Sequence, residues 1–251
     1  MNLPDVLDRA IVEHLASALA VGPSFPDRSA VRSRAAKVLR PSGALARLDE
    51  VAVWLAGWQR TPQPAVQRPH VVVFAADNGV NDRGVSAYPS SITGAMVGAI
   101  EAGLATCSVL AEAEGAGLTL VDVGVGRPTH DLAVADALTL ERFTEAWFAG
   151  VAAVGHLDTD LLILGELGIG NSTAAAAVAC ALCGGSSGDW VGRGTGIDDD
   201  GLARKRGAVD LALTRLAGGG DRSPLSILRR VGGAELVALA GAAVEHSSLY
   251  L

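Results

Sequence analysis

The sequence predicts an α/β protein, in which a three-layer α/β/α domain is built on a mainly parallel sheet and follows a small helical region. Continuous apolar runs recur along the chain, and each ends in a glycine or an acid, as buried parallel strands do. Helical patterns separate these runs, and strands that alternate with helices are typical of parallel sheets with right-handed crossovers. About half of the 251 residues are apolar, so the chain can bury a sizeable core.

The N-terminal part of the chain predicts helices only. Residues 5–20 and roughly 27–60 have helical patterns, and the segment RPSG interrupts the second group at residues 40–43. We therefore expect a helical region at residues 1–60 and an α/β domain at residues 61–251.

The predicted strands follow in order. They are VVVFAAD at residues 71–77, LTLVDVGVG at 118–126 and LLILG at 161–165, and a short fourth strand is expected in WVGRGTG at 190–196. Helices are expected at about residues 92–114, from Ser172 onward, and from near Asp199 through residue 217. This alternation predicts a Rossmann-like sheet with helices on both faces.

Charge and composition exclude some classes of protein. A net charge of −7 and a pI near 5.2 argue against a general nucleic-acid binder, which needs clustered lysines and arginines. The N-terminal residues carry charges throughout and lack the order of a signal peptide, so we expect a cytoplasmic protein. The longest charge-free window, residues 167–188, has glycine, asparagine, serine and threonine in its interior, and no membrane span is expected there.

Four glycine-rich or acidic segments come at the predicted strand ends: AADNG, VDVGVG, GELGIGNST and GRGTGIDDD. Because ligands bind parallel sheets at the carboxyl ends of the strands, these loops are expected to converge on one site. In GELGIGNST a strand, a glycine-rich turn and an Ala-rich helix follow one another, and such a unit favours an anion above the helix start. Asn171, Ser172 and Thr173 either cap this helix or donate to a phosphate, and the pattern leaves both roles open.

Other motifs favour less specific interpretations. Gly168, Gly170 and Thr173 approach a dinucleotide fingerprint, but the strand that should lead to the ribose-binding acid is missing. The three acids of GRGTGIDDD suit a solvated helix start better than a magnesium site, and we predict no metal site. Arg204 and Lys205, one turn into the next helix, either reach an anion or lie at the surface.

The motifs together resemble a known family. LRPSGALARLDEVAVWLAGWQ, VVFAADNGVNDRGVSAYP, LTLVDVGV, LGELGIGNSTAAAAV, VGRGTGIDDDGLARK and LRRVGGAELVALAGAAV occur in the order and at the spacing of nicotinate-nucleotide:dimethylbenzimidazole phosphoribosyltransferases. The resemblance runs from about residue 39 to residue 244. It implies transfer of phosphoribose from nicotinate mononucleotide to a benzimidazole-type base, without a cofactor or a metal, by a homodimer.

The resemblance also assigns roles to residues. It implies that the GIGNS and GRGTG loops hold the phosphoribosyl group through Gly168, Gly170, Asn171, Ser172, Gly194, Thr195 and Gly196. Glu166 matches a family acid near the reacting centre, and Lys205 matches a lysine that shapes the same pocket. The flat base is expected to lie against the GVSAYP loop, in a slot lined by Ser86, Tyr88 and Leu167.

This sequence also departs from the family. Family members continue to a segment RLGEGTG, whose glutamate is the general base, whereas the printed residues end in LAGAAVEHSSLYL. Ala95 replaces a glutamine, and GLATCS, with Ser108, replaces GGAAIN. Two expectations remain. The first is an enzyme of this family, of which a protein made of these residues alone turns over poorly. The second is a non-catalytic binder of nicotinate mononucleotide or α-ribazole phosphate, or an inactive truncated paralogue.

Overall fold

The fold is built on a sheet of three parallel strands. A computed structural model describes residues 22–41 and 43–248. The strands are β1 (Pro69–Ala76), β2 (Gly117–Gly124) and β3 (Leu161–Leu167), and their order in the sheet is β2-β1-β3. At the carboxyl end, Phe74 of β1 pairs with Val121 of β2 and Glu166 of β3. All three strands therefore end at the same edge, as predicted.

Helices cover both faces of the sheet, which confirms the three-layer prediction. Helices α3 and α4 pack on one face, and α5 and α10 pack on the other. Among the described residues the helices are α1 (Phe25–Ala35), α2 (Ala46–Gln59), a 3-10 helix (Gly79–Arg83), α3 (Ser91–Glu101), α4 (Thr106–Ala113), α5 (Leu140–Val154), α6 (Asn171–Cys183), α7 (Ser187–Trp190), α8 (Asp199–Ala217), α9 (Pro224–Val231) and α10 (Ala234–Ser248).

The main core lies between the sheet and the helix pair α5 and α10. Val72 and Phe74 of β1 are fully buried there against Trp147 of α5. The two helices touch along their backbones, because a Cβ atom added at Gly150 would lie 1.9 Å from the carbonyl oxygen of Ala238. Only glycine permits this approach, which sets α10 close to the sheet and fixes the position of its first turn.

A second core lies beside the sheet. Helix α6 follows β3 but packs against α8 and α9, through buried side chains such as Ala177, Val209 and Val231. The small alanine side chains of α6 let these helices approach closely. The second core therefore holds the start of α6 and the segment before α8 next to the carboxyl end of β3.

The structure corrects two predicted elements. Residues 190–196 do not form a fourth strand: α7 ends at Trp190 and a loop follows. Gly194 and Gly196 have φ angles of 53° and 89° there, which a β-strand does not accommodate. The helix expected at residues 92–114 is two helices, because Gly103, with a φ angle of 73°, ends the first.

The helices expected near residues 27–60 are confirmed as α1 and α2, which pack on each other. The helix expected at residues 5–20 lies outside the described residues. The division into a region at 1–60 and a domain at 61–251 stays a prediction.

Helices α3 and α4 expose an apolar surface. Within the described part of the chain, one helical stretch, Ser91–Ala113, is long and apolar enough to cross a membrane by length and composition. It consists of two helices of 11 and 8 residues, whereas a membrane-spanning helix needs about 20 continuous residues. We call its exposed side chains Met96, Leu104, Val109 and Leu110 the α3–α4 surface.

Candidate functional site

The loop between β3 and α6 lies directly on the end of β1. A Cβ atom added at Gly168 would stand 2.3 Å from the carbonyl oxygen of Ala76, so only glycine fits. Gly170 has a φ angle of 94°, a left-handed conformation that glycine adopts without strain. These two glycines turn the chain sharply from the sheet into α6, and they place Asn171 and Ser172 at the carboxyl edge of the sheet.

The backbone N–H groups that begin α6 are bonded locally. Asn171 N–H donates to the carbonyl of Gly168, and Thr173 N–H donates to that of Gly170. Ser172 N–H donates to Oδ1 of Asn171 at 2.6 Å. The sequence predicted that these groups face an anion, but in this conformation the first turn satisfies them itself. The donors that remain for an anion at this turn are side chains and the N–H of Gly170, which has no protein acceptor among the described residues.

Lys205 provides the positive charge of the site. Its side chain is 2% exposed, and its Nζ donates to Ser172 Oγ at 2.8 Å and to the carbonyl of Gly192 at 3.2 Å. Burial lowers the pKa of Lys205 from its ordinary value of 10.5. The ammonium thus joins the start of α6 to the loop before α8. Its role in a substrate pocket stays a prediction.

The GRGTG loop closes over this ammonium. A Cβ atom at Gly194 would lie 3.0 Å from Lys205 Nζ and 3.2 Å from Ser172 Oγ. The loop is exposed, and among the described residues the N–H groups of residues 192–195 have no protein acceptor. Backbone N–H groups beside a buried ammonium form an environment that favours an anion. The structure therefore brings Ser172, Gly194 and Lys205 together.

The GVSAYP loop is tied to the GRGTG loop. Thr195 Oγ1 accepts a hydrogen bond from Ala87 N–H at 3.0 Å and lies 3.1 Å from Ser86 Oγ. Tyr88 N–H donates to Ser86 Oγ at 3.2 Å, while the Tyr88 side chain remains about half exposed. The loop predicted to bind the base and the loop predicted to bind phosphoribose therefore share one edge of the site.

Glu166 and Leu167 end β3 on opposite faces of the sheet, because side chains alternate along a strand. Glu166 is exposed and accepts a hydrogen bond from the side-chain amide of Asn171. Leu167 packs against the core that contains Val73 and Ile100, on the face covered by α3. Glu166 thus lies beside the start of α6. The place of Leu167 in a base slot stays a prediction.

Sequence reasoning did not predict the buried acidic group Glu235, which lies beneath the loop between β3 and α6. Glu235, in the first turn of α10, is 0% exposed, and its Oε1 accepts a hydrogen bond from Asn78 Nδ2 at 3.0 Å. Burial raises the pKa of Glu235 to about 7, and the negative charges of Glu166 and Asp77 act in the same direction. An acid in the first turn of a helix is usually a favourable terminal charge, so its sequence position gave no signal.

Two of the three acids of GRGTGIDDD make local contacts. Asp198 caps α8 by accepting a hydrogen bond from Gly201 N–H at 2.8 Å, and Asp199 forms an ion pair with Arg193 at 2.5 Å. Within residues 22–41 and 43–248, no group of three or more histidine, cysteine, aspartate or glutamate side chains could hold a metal ion.

An apolar cleft lies away from these loops. It has a volume of about 330 Å³ and is lined by Trp54 and Trp58 of α2, by Leu162 and Leu164 of β3, and by His246. It shares no lining residue with the loops at the carboxyl edge.

Comparisons with known proteins identify relatives of this chain. Residues 24–249 match a family model described as a phosphoribosyltransferase. The chain is 44% identical over 217 residues to a nicotinate-nucleotide–dimethylbenzimidazole phosphoribosyltransferase of Methylorubrum extorquens, covering 86% of this chain and 63% of that protein. It is 42% identical over 240 residues to the protein of the same name from Ruegeria pomeroyi, covering 96% and 70%.

A solved structure is also similar. The crystal structure of CobT from Thermus thermophilus superposes with a TM-score of 0.82 at 39% identity, covering 90% of this chain and 73% of that one. The chain spans 63% and 70% of the length of the two relatives from Methylorubrum and Ruegeria.

Proposed function

Because the chain belongs to the phosphoribosyltransferase family, we propose that it transfers phosphoribose from nicotinate mononucleotide to 5,6-dimethylbenzimidazole. The products are α-ribazole 5′-phosphate and nicotinate. The observation that supports this most directly is the buried Lys205 ammonium between Ser172 and the GRGTG loop, with the Glu166 carboxylate beside the same helix start.

The phosphate end of the substrate fits the Lys205 side of the site. A phosphate monoester needs several donors and a positive charge, and Ser172 Oγ, Lys205 Nζ and the N–H groups of residues 192–195 offer both. Gly168 and Gly170 hold the turn that positions Ser172. Gly194 and Gly196 provide the backbone shape of the opposite loop.

The reacting end of the substrate fits the Glu166 side. In the transfer, the bond from the anomeric carbon to the pyridinium nitrogen breaks, and its electron pair neutralises the leaving nicotinate ring. A benzimidazole nitrogen forms the new bond from the opposite face, so the carbon inverts. Positive charge develops on the ribose after the bond to nicotinate has begun to break and before the bond to benzimidazole is complete. The Glu166 carboxylate, which the side chain of Asn171 orients, stabilises this positive charge.

The incoming base must lose its N–H proton during the reaction. The family resemblance assigns the removal of this proton to the glutamate of RLGEGTG. The 251 printed residues do not contain this motif. Ser86 and Tyr88 lie on the loop beside Thr195, and their edge of the site is where we place the flat base.

The experiment measures binding and turnover separately. Calorimetry with nicotinate mononucleotide should show binding by the wild type and a large loss in Gly170→Asp, because the new carboxylate would repel the phosphate. Formation of α-ribazole phosphate, followed by chromatography, should occur with the wild type and fall in Glu166→Gln. Binding without any product, even with a relative's C-terminal segment added, would instead support the non-catalytic binder. Equal binding by wild type and Gly170→Asp would remove the site assignment.

We also propose that the protein is a cytoplasmic homodimer. The α3–α4 surface supports the dimer, because exposed apolar side chains such as Leu104 and Leu110 gain free energy when a second copy covers them.

A further inference from the structure

Several buried oxygen atoms lack hydrogen-bond partners near the carboxyl end of β1. Those on Glu235 and the residues beside it are Oδ1 of Asp77, Oδ1 of Asn78 and Oε2 of Glu235. Oδ1 of Asn81 and Oγ1 of Thr173 also have no partner in the described part of the chain. Buried polar atoms are normally hydrogen-bonded, since an unpaired one costs free energy. Their concentration in one cluster, directly under the predicted phosphoribosyl loop, calls for a physical explanation.

Asn78 forms the floor of that loop. A Cβ atom at Gly168 would lie 3.1 Å from Asn78 Nδ2, and one at Gly170 would lie 3.2 Å from Asn78 Cβ. The side chain of Asn78 is 1% exposed, so it cannot move without displacing the turn between these glycines. The orientation of the Asn78 amide therefore bears on the shape of the loop.

Glu235 holds the Asn78 amide. Its Oε1 accepts the Nδ2 hydrogen bond at 3.0 Å, and the carboxyl group folds back over Gly233, where an added Cβ would stand 2.2 Å from Oε1. Glycine at position 233 leaves the space that the buried carboxyl occupies. Glu235 is thus packed in one orientation, with no room for it to turn toward solvent.

Burial is the main reason why Glu235 resists ionisation, and it raises the pKa of this carboxyl to about 7. The hydrogen bonds from Asn78 and from the backbone oppose this shift. The negative charges of Glu166 on β3 and of Asp77 at the end of β1 add to it. Oε2 of Glu235, without a partner, is an atom on which a proton can reside.

We propose that Glu235 is a positioning residue for phosphoribosyl transfer, whose neutral carboxyl holds Asn78 under the Gly168–Gly170 turn and keeps a further negative charge away from the bound phosphate. If Glu235 were ionised, its negative charge would lie beneath the bound phosphate and repel it. Substrate affinity therefore depends on whether Glu235 carries a proton, and substrate binding in turn favours proton uptake by Glu235. This inference rests on the proposed function.

The test compares wild type with Glu235→Gln, because glutamine has the shape of the protonated side chain and cannot ionise. Calorimetry gives the Kd of nicotinate mononucleotide at about pH 5.5 and about pH 8.5, on either side of the shifted pKa. The ratio of the two proteins' Kd values cancels the titration of the substrate's own phosphate. We expect a ratio near one at the lower pH, and wild-type binding on the order of threefold to tenfold weaker at the higher pH. Glu141→Gln, an exposed site on α5, is the control and should follow the wild type.

A second measurement compares the protons that the wild type and Glu235→Gln take up on binding. At about pH 7.5, in buffers of different ionisation enthalpy, the wild type should take up more protons than the variant, because the bound anion raises the pKa of Glu235. The substrate phosphate and Lys205 are present in both proteins, so the difference in proton uptake reports Glu235. A Kd ratio that stays constant with pH, or equal proton uptake by the two proteins, overturns the role of Glu235 and leaves the proposed function standing. No binding by the wild type at any pH overturns both.

Discussion

The Nζ of Lys205 lies 2.8 Å from Oγ of Ser172, so a buried ammonium on α8 is bonded to the first turn of α6. These residues are distant in the sequence, and the pairing exists only because α6 packs on α8 in the second core. It places one positive charge under two loops in a protein with a net charge of −7.

Replacing Lys205 tests this charge. Lys205→Met keeps most of the side chain's volume and removes the ammonium, so the affinity for nicotinate mononucleotide should fall on the order of tenfold to a hundredfold, the range for hydrogen bonds to charged groups. Arg206→Met is the matched control, because Arg206 is exposed on the same helix and loses the same charge. Similar losses in both variants, measured by calorimetry, would indicate a general charge effect and contradict a specific phosphate contact.

Alanine substitutions in the GRGTG loop distinguish two effects on substrate binding: a steric contact with Lys205 and strain in the backbone. Gly194→Ala should weaken substrate binding, because the new Cβ would stand 3.0 Å from Lys205 Nζ at a residue with a φ angle of 53°. Gly196→Ala adds strain at a φ angle of 89° but meets nothing within 4 Å, and Gly192→Ala adds neither. Affinity should therefore fall most in Gly194→Ala and least in Gly192→Ala. Equal effects in all three would show that the contact with Lys205 is unimportant.

The buried carboxyl of Glu235 predicts a pH dependence of stability. Its pKa in the folded protein, about 7, lies above the ordinary 4.5, so the folded state keeps a proton that the unfolded chain has released. This contribution is fully present below about pH 4.5 and is lost as pH rises through about 7, on the order of 3 kcal/mol in total. Relative to the wild type, Glu235→Gln should gain stability by this amount between about pH 5 and about pH 8 in urea unfolding. A stability difference independent of pH would refute the shifted pKa.

The proposed dimer predicts the effect of a charge on the α3–α4 surface. Leu104 is 78% exposed, and Leu104→Glu should shift the protein toward monomer, because a dimer would bury the new charge. Val134→Glu, at a similarly exposed position before α5, should leave the assembly unchanged. Light scattering across a range of concentrations gives the mass. A monomeric wild type at working concentrations would remove the dimer proposal.

The family resemblance assigns the general base to an RLGEGTG motif that does not occur in the 251 printed residues, and this predicts the turnover of a protein made of these residues alone. Its rate of α-ribazole phosphate formation should rise on the order of 10²–10⁴-fold when a relative's C-terminal segment is supplied in trans, because the segment brings a general base. The affinity for nicotinate mononucleotide should change little. Full turnover without the segment would instead direct attention to Glu166 as the proton acceptor.

The sequence by itself determined the strands and the loops that follow them. Continuous apolar runs ending in glycine specify buried parallel strands, since the signal is local and does not depend on partners. The same local pattern placed Glu166, Gly168, Gly170 and Ser172 at a strand end. Parallel strands end at one edge, so the convergence of these loops followed without a structure.

Only the tertiary structure decided the pairings between distant segments. Lys205 is a charged residue in a mixed helix pattern and is equally compatible with the surface, until α8 packs against α6 and buries it. Glu235 has the sequence position of a favourable helix-terminal acid, and it becomes a buried carboxyl only because Gly150 lets α5 and α10 approach and Gly233 leaves it room. The prediction of a fourth strand was wrong for a related reason. Its apolar start is a local signal, whereas the left-handed Gly194 after it lies close to Lys205 and Ser172, which are distant in the sequence. Burial and charge environment depend on the whole fold, which no local pattern encodes.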